Sequence, residues 1–156
     1  LASLSFGQGD LIVTPLQITT MMNAVASDGM RYAPVFVRSV STQTEQQTVR
    51  EEPVRVCPEA DARVLQSMLV TVVSEGIGAE ADPGEGGAGG KTGTAQTGQF
   101  NSEGQELLNY WFSGFWPAEN PQYTITVLQD GVLDPEVSSA AIFARIAQAL
   151  NVEENS

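Results

Sequence analysis

The sequence predicts an α+β fold in which an antiparallel β-sheet, a meander that ends in a C-terminal helix, is covered by amphipathic helices. Residues 91–97, 110–116 and 123–129 consist largely of residue types found in strands. A short Pro-Ala-Glu-Asn-Pro turn joins the last two, which favours antiparallel neighbours. Three amphipathic helical patterns can cover the faces of this sheet, and we place residues 91–97 at one end of it.

The first predicted helix begins at Pro15, because Thr14 suits the N-cap and proline suits the first helical position. Gly29 is expected to end it. Its apolar face, which we expect to be core and not a cofactor site, comprises Ile18, Met21, Met22 and Val25.

Loops and strands are predicted on either side of this helix. Residues 5–10 contain two glycines and are predicted to form a turn. Residues 34–41 and 47–56 are predicted strands with a polar turn between them. Pro53 limits the second to an edge or to a broken strand.

The second predicted helix begins at Pro58, where Glu59 and Asp61 suit the positive end of the helix dipole. Gly76 is expected to end it. Its apolar stripe, also expected to be core, comprises Leu65, Met68, Leu69, Val72 and Val73.

Two segments of the second half are predicted to be irregular. Residues 76–90 are mostly glycine, alanine and acidic residues and are predicted to be a flexible surface connection. Residues 98–109 are predicted to be a polar loop. The last helix is predicted at residues 138–150, followed by a polar, frayed tail at 152–156. Its apolar face comprises Phe143, Ile146, Ala147 and Leu150.

Composition disfavours several classes of function. With 156 residues, the chain is long enough for one domain with a core, and we expect residues 1–156 to form one unit. The net charge of -12 and the singly scattered arginines disfavour binding to nucleic acid or to an anionic membrane surface. Without histidine and with one cysteine, the chain cannot supply a typical transition-metal site, a Ser-His or Cys-His pair, or an internal disulfide. The sequence therefore predicts no cofactor and no nucleic-acid partner.

The most distinctive feature is a single lysine that follows a run of glycines. Lys91 is the only lysine in the chain. Threonines around a glycine are typical of an extended strand that another chain approaches closely. We predict that this strand is the functional site, and its six residues are Lys91, Thr92, Gly93, Thr94, Ala95 and Gln96.

This motif resembles one from a known family. Lys-Thr-Gly-Thr at residues 91–94 resembles the third active-site motif of the penicillin-binding proteins and serine β-lactamases, and the added Ala-Gln is more typical of peptidoglycan transpeptidases. Phe-Gly-Gln-Gly at residues 6–9, followed by Thr-Pro-Leu-Gln at residues 14–17, resembles a segment of class B (monofunctional) penicillin-binding proteins. Strands like residues 111–117 and 123–127, and then a C-terminal helix, follow in the family's order. The resemblance thus covers essentially the whole chain.

The resemblance implies a partial transpeptidase fold and gives roles to the motif. Lys91 would hold a serine of the family's second motif and favour the substrate carboxylate, which the Thr92 hydroxyl would bond. The main-chain N–H of Thr94 would be one of two oxyanion-hole donors, and losing such a donor typically costs about 3 kcal/mol. The strand would receive the substrate peptide as an added strand. The implied substrate-binding residues are Thr92, Gly93, Thr94, Ala95 and Gln96.

The implied activity is acyl transfer to cross-link peptidoglycan. A serine of the intact enzyme would attack the D-Ala-D-Ala bond of the stem peptide, and β-lactams would occupy the same groove. The implied location is the extracytoplasmic face of the bacterial cytoplasmic membrane, with the anchor in an upstream segment.

The chain departs from the family in lacking the nucleophile. The family requires Ser-x-x-Lys, but the residue three positions before the only lysine is Ala88, and Ser-x-Asn is also absent. We therefore expect the nucleophile, its lysine and the middle motif to lie upstream of Leu1, and we expect this chain alone to be inactive. The upstream half of the domain would be its partner. Its absence would leave a sheet edge and apolar surface bare, so a homodimer or a swapped assembly is our hypothesis for the isolated chain.

Other interpretations of the motif remain. A P-loop would need glycine where Glu85 stands, an apolar strand before the motif and a helix after it. Lys91 could also be a solvated lysine on a glycine-rich edge. A third alternative is a non-catalytic module that senses β-lactams or peptides. Trp111 and Trp116 are expected to pack and not to stack on a ligand.

Overall fold

The computed structural model describes residues 12–37, 39–41, 46–48 and 51–154. Its residues 89–132 form the predicted meander, and the predicted C-terminal helix follows. The elements are, in chain order, α1 (Pro15–Ala26), β1 (Met30–Arg31), β2 (Ser39–Ser41), β3 (Gln46–Thr48), β4 (Val54–Arg55), α2 (Glu59–Ser74), a 3-10 helix (Ala79–Ala81), β5 (Gly89–Phe100), β6 (Glu106–Trp116), β7 (Tyr123–Val132) and α3 (Ser139–Glu154).

The main sheet has three antiparallel strands in the order β5-β6-β7. This confirms the α+β meander, and it confirms that the lysine-bearing strand lies at one end of the sheet. The remaining strands form two small antiparallel pairs, β1 with β4 and β2 with β3. The main sheet is therefore the scaffold that positions the predicted site.

One face of the sheet carries the hydrophobic core. Phe112 and Trp116 of β6 and Val127 of β7 are buried there against Phe143 and Ala147 of α3. The rings of Phe112 and Phe143 lie 4.8 Å apart at 57°, a favourable tilted geometry. The prediction that Trp116 packs is confirmed, since it is 2% exposed.

The start of α1 is confirmed in detail. The Thr14 hydroxyl accepts a hydrogen bond from the main-chain N–H of Gln17 at 3.2 Å, and the Gln17 side chain accepts one from the Thr14 N–H at 2.8 Å. This reciprocal capping box satisfies two N–H groups that the helix leaves without partners. The other segment of the motif block, residues 6–9, and the turn predicted at residues 5–10 lie outside the described residues.

The strands predicted at residues 34–41 and 47–56 are wrong in extent. Residues 34–37 form no strand, and the regular pairing is confined to β2, β3 and β4. Phe36 is 85% exposed. A β-rich composition produces a strand only where a paired neighbour or a packed face is present, and this segment has neither within the described residues.

The two predicted irregular segments are also partly wrong. Within 76–90, Ala81, Pro83 and Ala88 are buried, and the segment contains the 3-10 helix and the start of β5. Small residues are needed there for close packing, so the composition does not indicate flexibility. Within 98–109, only residues 101–105 form the turn, because β5 and β6 continue on either side of it.

Some residues expected in the core are exposed. Met21, Leu65 and Met68 have 57%, 44% and 58% of their surface exposed, whereas Met22 and Val73 on the same helices are buried. Ile146 of α3 is 38% exposed. α3 also continues to Glu154, so the tail predicted to fray is helical up to that residue.

Candidate functional site

The predicted site lies along the outer strand of the sheet. β5 pairs with β6, and no other described strand pairs with its second edge. An edge strand presents main-chain N–H and C=O groups that a further strand can bond. Lys91, Gly93 and Thr94 are exposed on this strand, and Thr92 is half-buried.

Two glycines bring the start of β5 close to β6. A Cβ at Gly89 would lie 2.3 Å from the Phe115 ring, and one at Gly90 would lie 2.5 Å from the Phe112 ring. Such distances are incompatible with any side chain unless the aromatic residues move. The glycines before Lys91 are therefore required for packing, and they fix where the lysine leaves the core.

The third glycine has different surroundings. A Cβ at Gly93 would meet only the Trp111 Cβ, at the ordinary contact distance of 3.5 Å. The packing of the described residues thus permits a side chain at Gly93. A reason for glycine at this place must come from something outside these residues.

The Lys91 ammonium lies at the exposed surface of the strand. Its Nζ donates to the main-chain carbonyl of Thr92 at 3.1 Å and lies 3.5 Å from the Thr92 hydroxyl. The salt bridges among the described residues all involve Arg63, so no carboxylate there neutralises Lys91. The ammonium is available to an anionic ligand.

The alternation of the strand separates the motif residues between two faces. Lys91 stands opposite Ser113, and Thr92 stands opposite Phe112. Because side chains alternate along a strand, Thr92 and Thr94 share a side of the sheet, and their main-chain groups also point to the same edge. The exposed Lys91 ammonium contacts the Thr92 carbonyl. The Thr94 N–H therefore points to the same edge of β5 as this carbonyl.

The far end of the motif is held by an acidic residue that the sequence reasoning missed. Glu106 of β6 accepts from the Gln96 side-chain nitrogen at 3.0 Å and from the Gly98 main-chain N–H at 3.2 Å. Gly98 has φ of +69°, at the point where the register between β5 and β6 shifts. Ala95, between these anchored positions and Thr94, is half-buried. Gly98 could have indicated this contact, because a glycine at a β-bulge leaves a main-chain N–H that a side chain elsewhere must bond.

Other classes of site are not supported by the described residues. No group of three or more cysteine and acidic residues there could hold a metal ion. None of the helices described is both long and apolar enough to cross a membrane. The P-loop alternative is excluded, because residues 91–100 continue as a strand where that motif requires a helix.

Comparisons with known proteins all point to the same family. The model of the penicillin-binding protein transpeptidase domain matches residues 1–148. The chain is 34% identical over 174 aligned residues to penicillin-binding protein PbpB of Mycolicibacterium smegmatis, which covers 99% of this chain and 26% of the relative. It is 30% identical over 155 residues to the peptidoglycan D,D-transpeptidase PbpA of the same organism, which covers 93% of this chain and 30% of the relative.

Solved structures agree with these sequence matches. Penicillin-binding protein 3 of Mycobacterium tuberculosis, complexed with aztreonam, has a TM-score of 0.82 and 33% identity over 99% of this chain and 38% of that chain. Penicillin-binding protein A of M. tuberculosis, as an imipenem acyl-enzyme complex, has a TM-score of 0.78 and 25% identity over 96% of this chain and 34% of that chain. The chain spans about a quarter of the length of the first curated relatives.

Proposed function

The chain belongs to the family of penicillin-binding protein transpeptidase domains, and from this premise we propose that it is the C-terminal part of the transpeptidase domain of a class B peptidoglycan D,D-transpeptidase. The whole enzyme cross-links cell-wall stem peptides. It also binds β-lactams in the same groove. It acts at the extracytoplasmic face of the bacterial membrane, anchored by an upstream segment.

The proposed reaction is acyl transfer in two steps. A serine of an upstream Ser-x-x-Lys attacks the carbonyl carbon of the D-Ala-D-Ala bond, and D-alanine leaves with a proton on its amine. An amine on a neighbouring stem peptide then attacks the resulting ester, which releases the serine and forms the cross-link. This chain would supply the surface on which the donor peptide lies.

One observation carries this proposal: the only lysine stands exposed on an edge strand whose second edge has no partner among the described residues. A peptide added along that edge would have its main chain bonded by β5. Its terminal carboxylate would lie near the Lys91 ammonium and the Thr92 hydroxyl, and both groups favour an anion.

The remaining motif residues have distinct roles in the proposal. The Thr94 N–H would donate to the oxyanion that forms when the serine attacks. Gly93 would leave room for the peptide. Ala95 and Gln96 would continue the strand beyond the reacting bond, with Gln96 held in place by Glu106.

Labelling by a fluorescent penicillin tests the proposal. The full-length protein that contains this chain should form a covalent adduct, and excess unlabelled β-lactam should prevent it. A variant in which the serine of Ser-x-x-Lys is replaced by alanine should not be labelled. Absence of labelling in a wild-type protein that contains Ser-x-x-Lys would refute the transpeptidase proposal, and reversible binding without an adduct would favour the non-catalytic module.

A further inference from the structure

The face of the sheet opposite the hydrophobic core packs against α1, and it combines the buried ring of Phe115 with a row of hydroxyl groups. Lys91, Ser113 and Thr126 are directly opposite one another across the three strands. Residues directly opposite in antiparallel strands project to the same face, so Lys91 begins a row that crosses the sheet. Thr19 of α1 lies at the other end of this row.

The contacts in the row are short and partly buried. The Ser113 and Thr126 hydroxyl oxygens lie 2.8 Å apart, and those of Thr126 and Thr19 also lie 2.8 Å apart. Ser113 is 5% exposed. A buried hydroxyl without a partner is costly, so these groups favour one arrangement of α1 on the sheet.

The protons of the row have one arrangement that satisfies every contact. The Thr19 hydroxyl also lies 2.8 Å from the main-chain carbonyl of Pro15, which can only accept. Because a hydroxyl carries one proton, Ser113 then donates to Thr126, Thr126 to Thr19, and Thr19 to Pro15. The row thus runs from the neighbour of Lys91 to the first turn of α1.

A second contact repeats the pattern one helical turn later. The Asn23 side-chain nitrogen donates to the Thr124 hydroxyl at 3.2 Å. Four helical residues rise about 6 Å and two strand residues about 6.8 Å. Thr19 and Asn23 are therefore spaced to meet Thr126 and Thr124, two successive residues on the same face of β7. The match aligns α1 along the strand.

We propose that Ser113, Thr126 and Thr19 are positioning residues for Lys91: they tie α1 to the segment of β6 that pairs with Lys91. Apolar contacts are not directional and permit small shifts, whereas hydroxyl contacts are directional and short. Apolar packing stabilises the fold on both faces, through Phe112 and Phe143 on one and Phe115 on the other. The hydroxyl row fixes α1 on β6 and β7, next to Ser113, the residue opposite Lys91.

The inference rests on the proposed function, and the rate of acylation by a penicillin in the full-length protein tests it. Thr126→Val removes the central hydroxyl at nearly constant volume. We expect the maximal acylation rate to fall about tenfold, because misplaced catalytic groups lose rate steeply. We expect the half-saturating penicillin concentration to change less than about twofold, since Lys91 keeps its charge near the ligand carboxylate and only its alignment with the reacting groups changes. Thr126→Ser keeps the hydroxyl and should restore most of the rate.

Two matched controls separate positioning from stability. Thr20 is next to Thr19 on α1 and donates to the carbonyl of Leu16 at 2.8 Å, but its hydroxyl has no sheet contact in the structure. Thr20→Val should keep the wild-type rate, whereas Thr19→Val should slow acylation as Thr126→Val does. Val127 is the neighbour of Thr126 on the core face, and Val127→Ala should lower the melting temperature without changing the rate of the folded protein.

Each outcome decides the inference. Wild-type acylation in Thr126→Val would overturn it. Equal slowing in Thr20→Val or in Val127→Ala would also overturn it, because general destabilisation would then explain the loss. If Thr126→Val does not fold, the pair Thr19→Val and Thr20→Val gives the decision. A wild-type protein that is not acylated at all would refute the proposed function, and the inference would fall with it.

Discussion

Glycine occurs at positions 89, 90 and 93, next to Lys91, for two different reasons. Gly89 and Gly90 are glycine because β6 places aromatic rings against them. Gly93 has room for a methyl group within the described structure. Only the glycine that packing does not require is a candidate for contact with a substrate.

Alanine substitution should separate these causes. Gly90→Ala places a Cβ 2.5 Å from the Phe112 ring and 2.9 Å from the Ser113 carbonyl. We expect it to lower the free energy of unfolding by about 1–3 kcal/mol, because the core is overpacked. Gly93→Ala should leave the melting temperature nearly unchanged but slow acylation of the full-length protein. Thermal unfolding and penicillin labelling of both variants measure this, and a stable, fully active Gly93→Ala would contradict the role given to Gly93.

Lys91 should be dispensable for folding and required for acylation. Its side chain is exposed and has no carboxylate partner among the described residues, so Lys91→Ala should not unfold the protein. If the ammonium stabilises the reacting complex as an oxyanion donor does, its loss costs about 3 kcal/mol, or roughly a hundredfold in acylation rate.

Stopped-flow acylation kinetics and circular dichroism of the full-length Lys91→Ala variant provide the measurement. Wild-type kinetics in a folded variant would show that Lys91 is only a solvated surface residue, which is the alternative that its exposure leaves open.

The sequence correctly predicts helices and strands whose formation depends on interactions between neighbouring residues. The N-cap at Thr14 and the strand at Lys91 are encoded within a few neighbouring residues, and both were predicted. The end of the hairpin was not predicted, because residues 98–100 and 106–109 form strands only when the side chains of one segment satisfy the main chain of the other. Gly98 bonds Glu106, and this pairing cannot be read from either segment alone.

The site shows the same division. The motif at residues 91–96 was found from its residues and from the resemblance. Glu106 and the row from Ser113 to Thr19 were missed, since their meaning depends on the register of β5, β6 and β7. The register depends on the hairpin length, which was predicted wrongly. Burial of Ala81 and Ala88 likewise depends on packing that composition does not reveal.

Glu106 should hold the end of the β5–β6 hairpin in place. Glu106→Ala removes the acceptor of both Gln96 and Gly98. We expect faster amide hydrogen exchange at Gly98. We also expect the free energy of unfolding to fall by no more than about 0.5–1.5 kcal/mol for each lost hydrogen bond. Glu103→Ala at the exposed turn is the matched control. Glu103 bonds Asn101 through its main-chain N–H, so removing its side chain should leave exchange at Gly98 unchanged. Unchanged exchange at Gly98 in Glu106→Ala would show that the bulge is held by the strands alone.

At the scale of the whole molecule, the two sides of the sheet differ in chemistry. α3 covers one side with a hydrophobic core, and α1 covers the other, where hydroxyl and amide contacts lie beside the buried ring of Phe115. Large apolar side chains on α1 and α2 remain exposed, namely Leu16, Met21, Val64, Leu65 and Met68. Exposed apolar residues of this size are typical of a surface that another polypeptide covers. We propose that the upstream half of the domain covers them in the whole protein.

The isolated chain should therefore self-associate in spite of its charge. With a net charge of -12, long-range repulsion opposes association at low salt, so the apparent mass should rise above 16.6 kDa with concentration and with added salt. Light scattering measures this. Met21→Glu and Met68→Glu together should reduce association, whereas Ile146→Glu on α3 adds the same kind of charge on another surface and should have a smaller effect. A monomer at every concentration would show that these exposed side chains do not drive contact. An Ile146→Glu effect as large as that of the double variant would show that added charge, and not the loss of these apolar side chains, controls association.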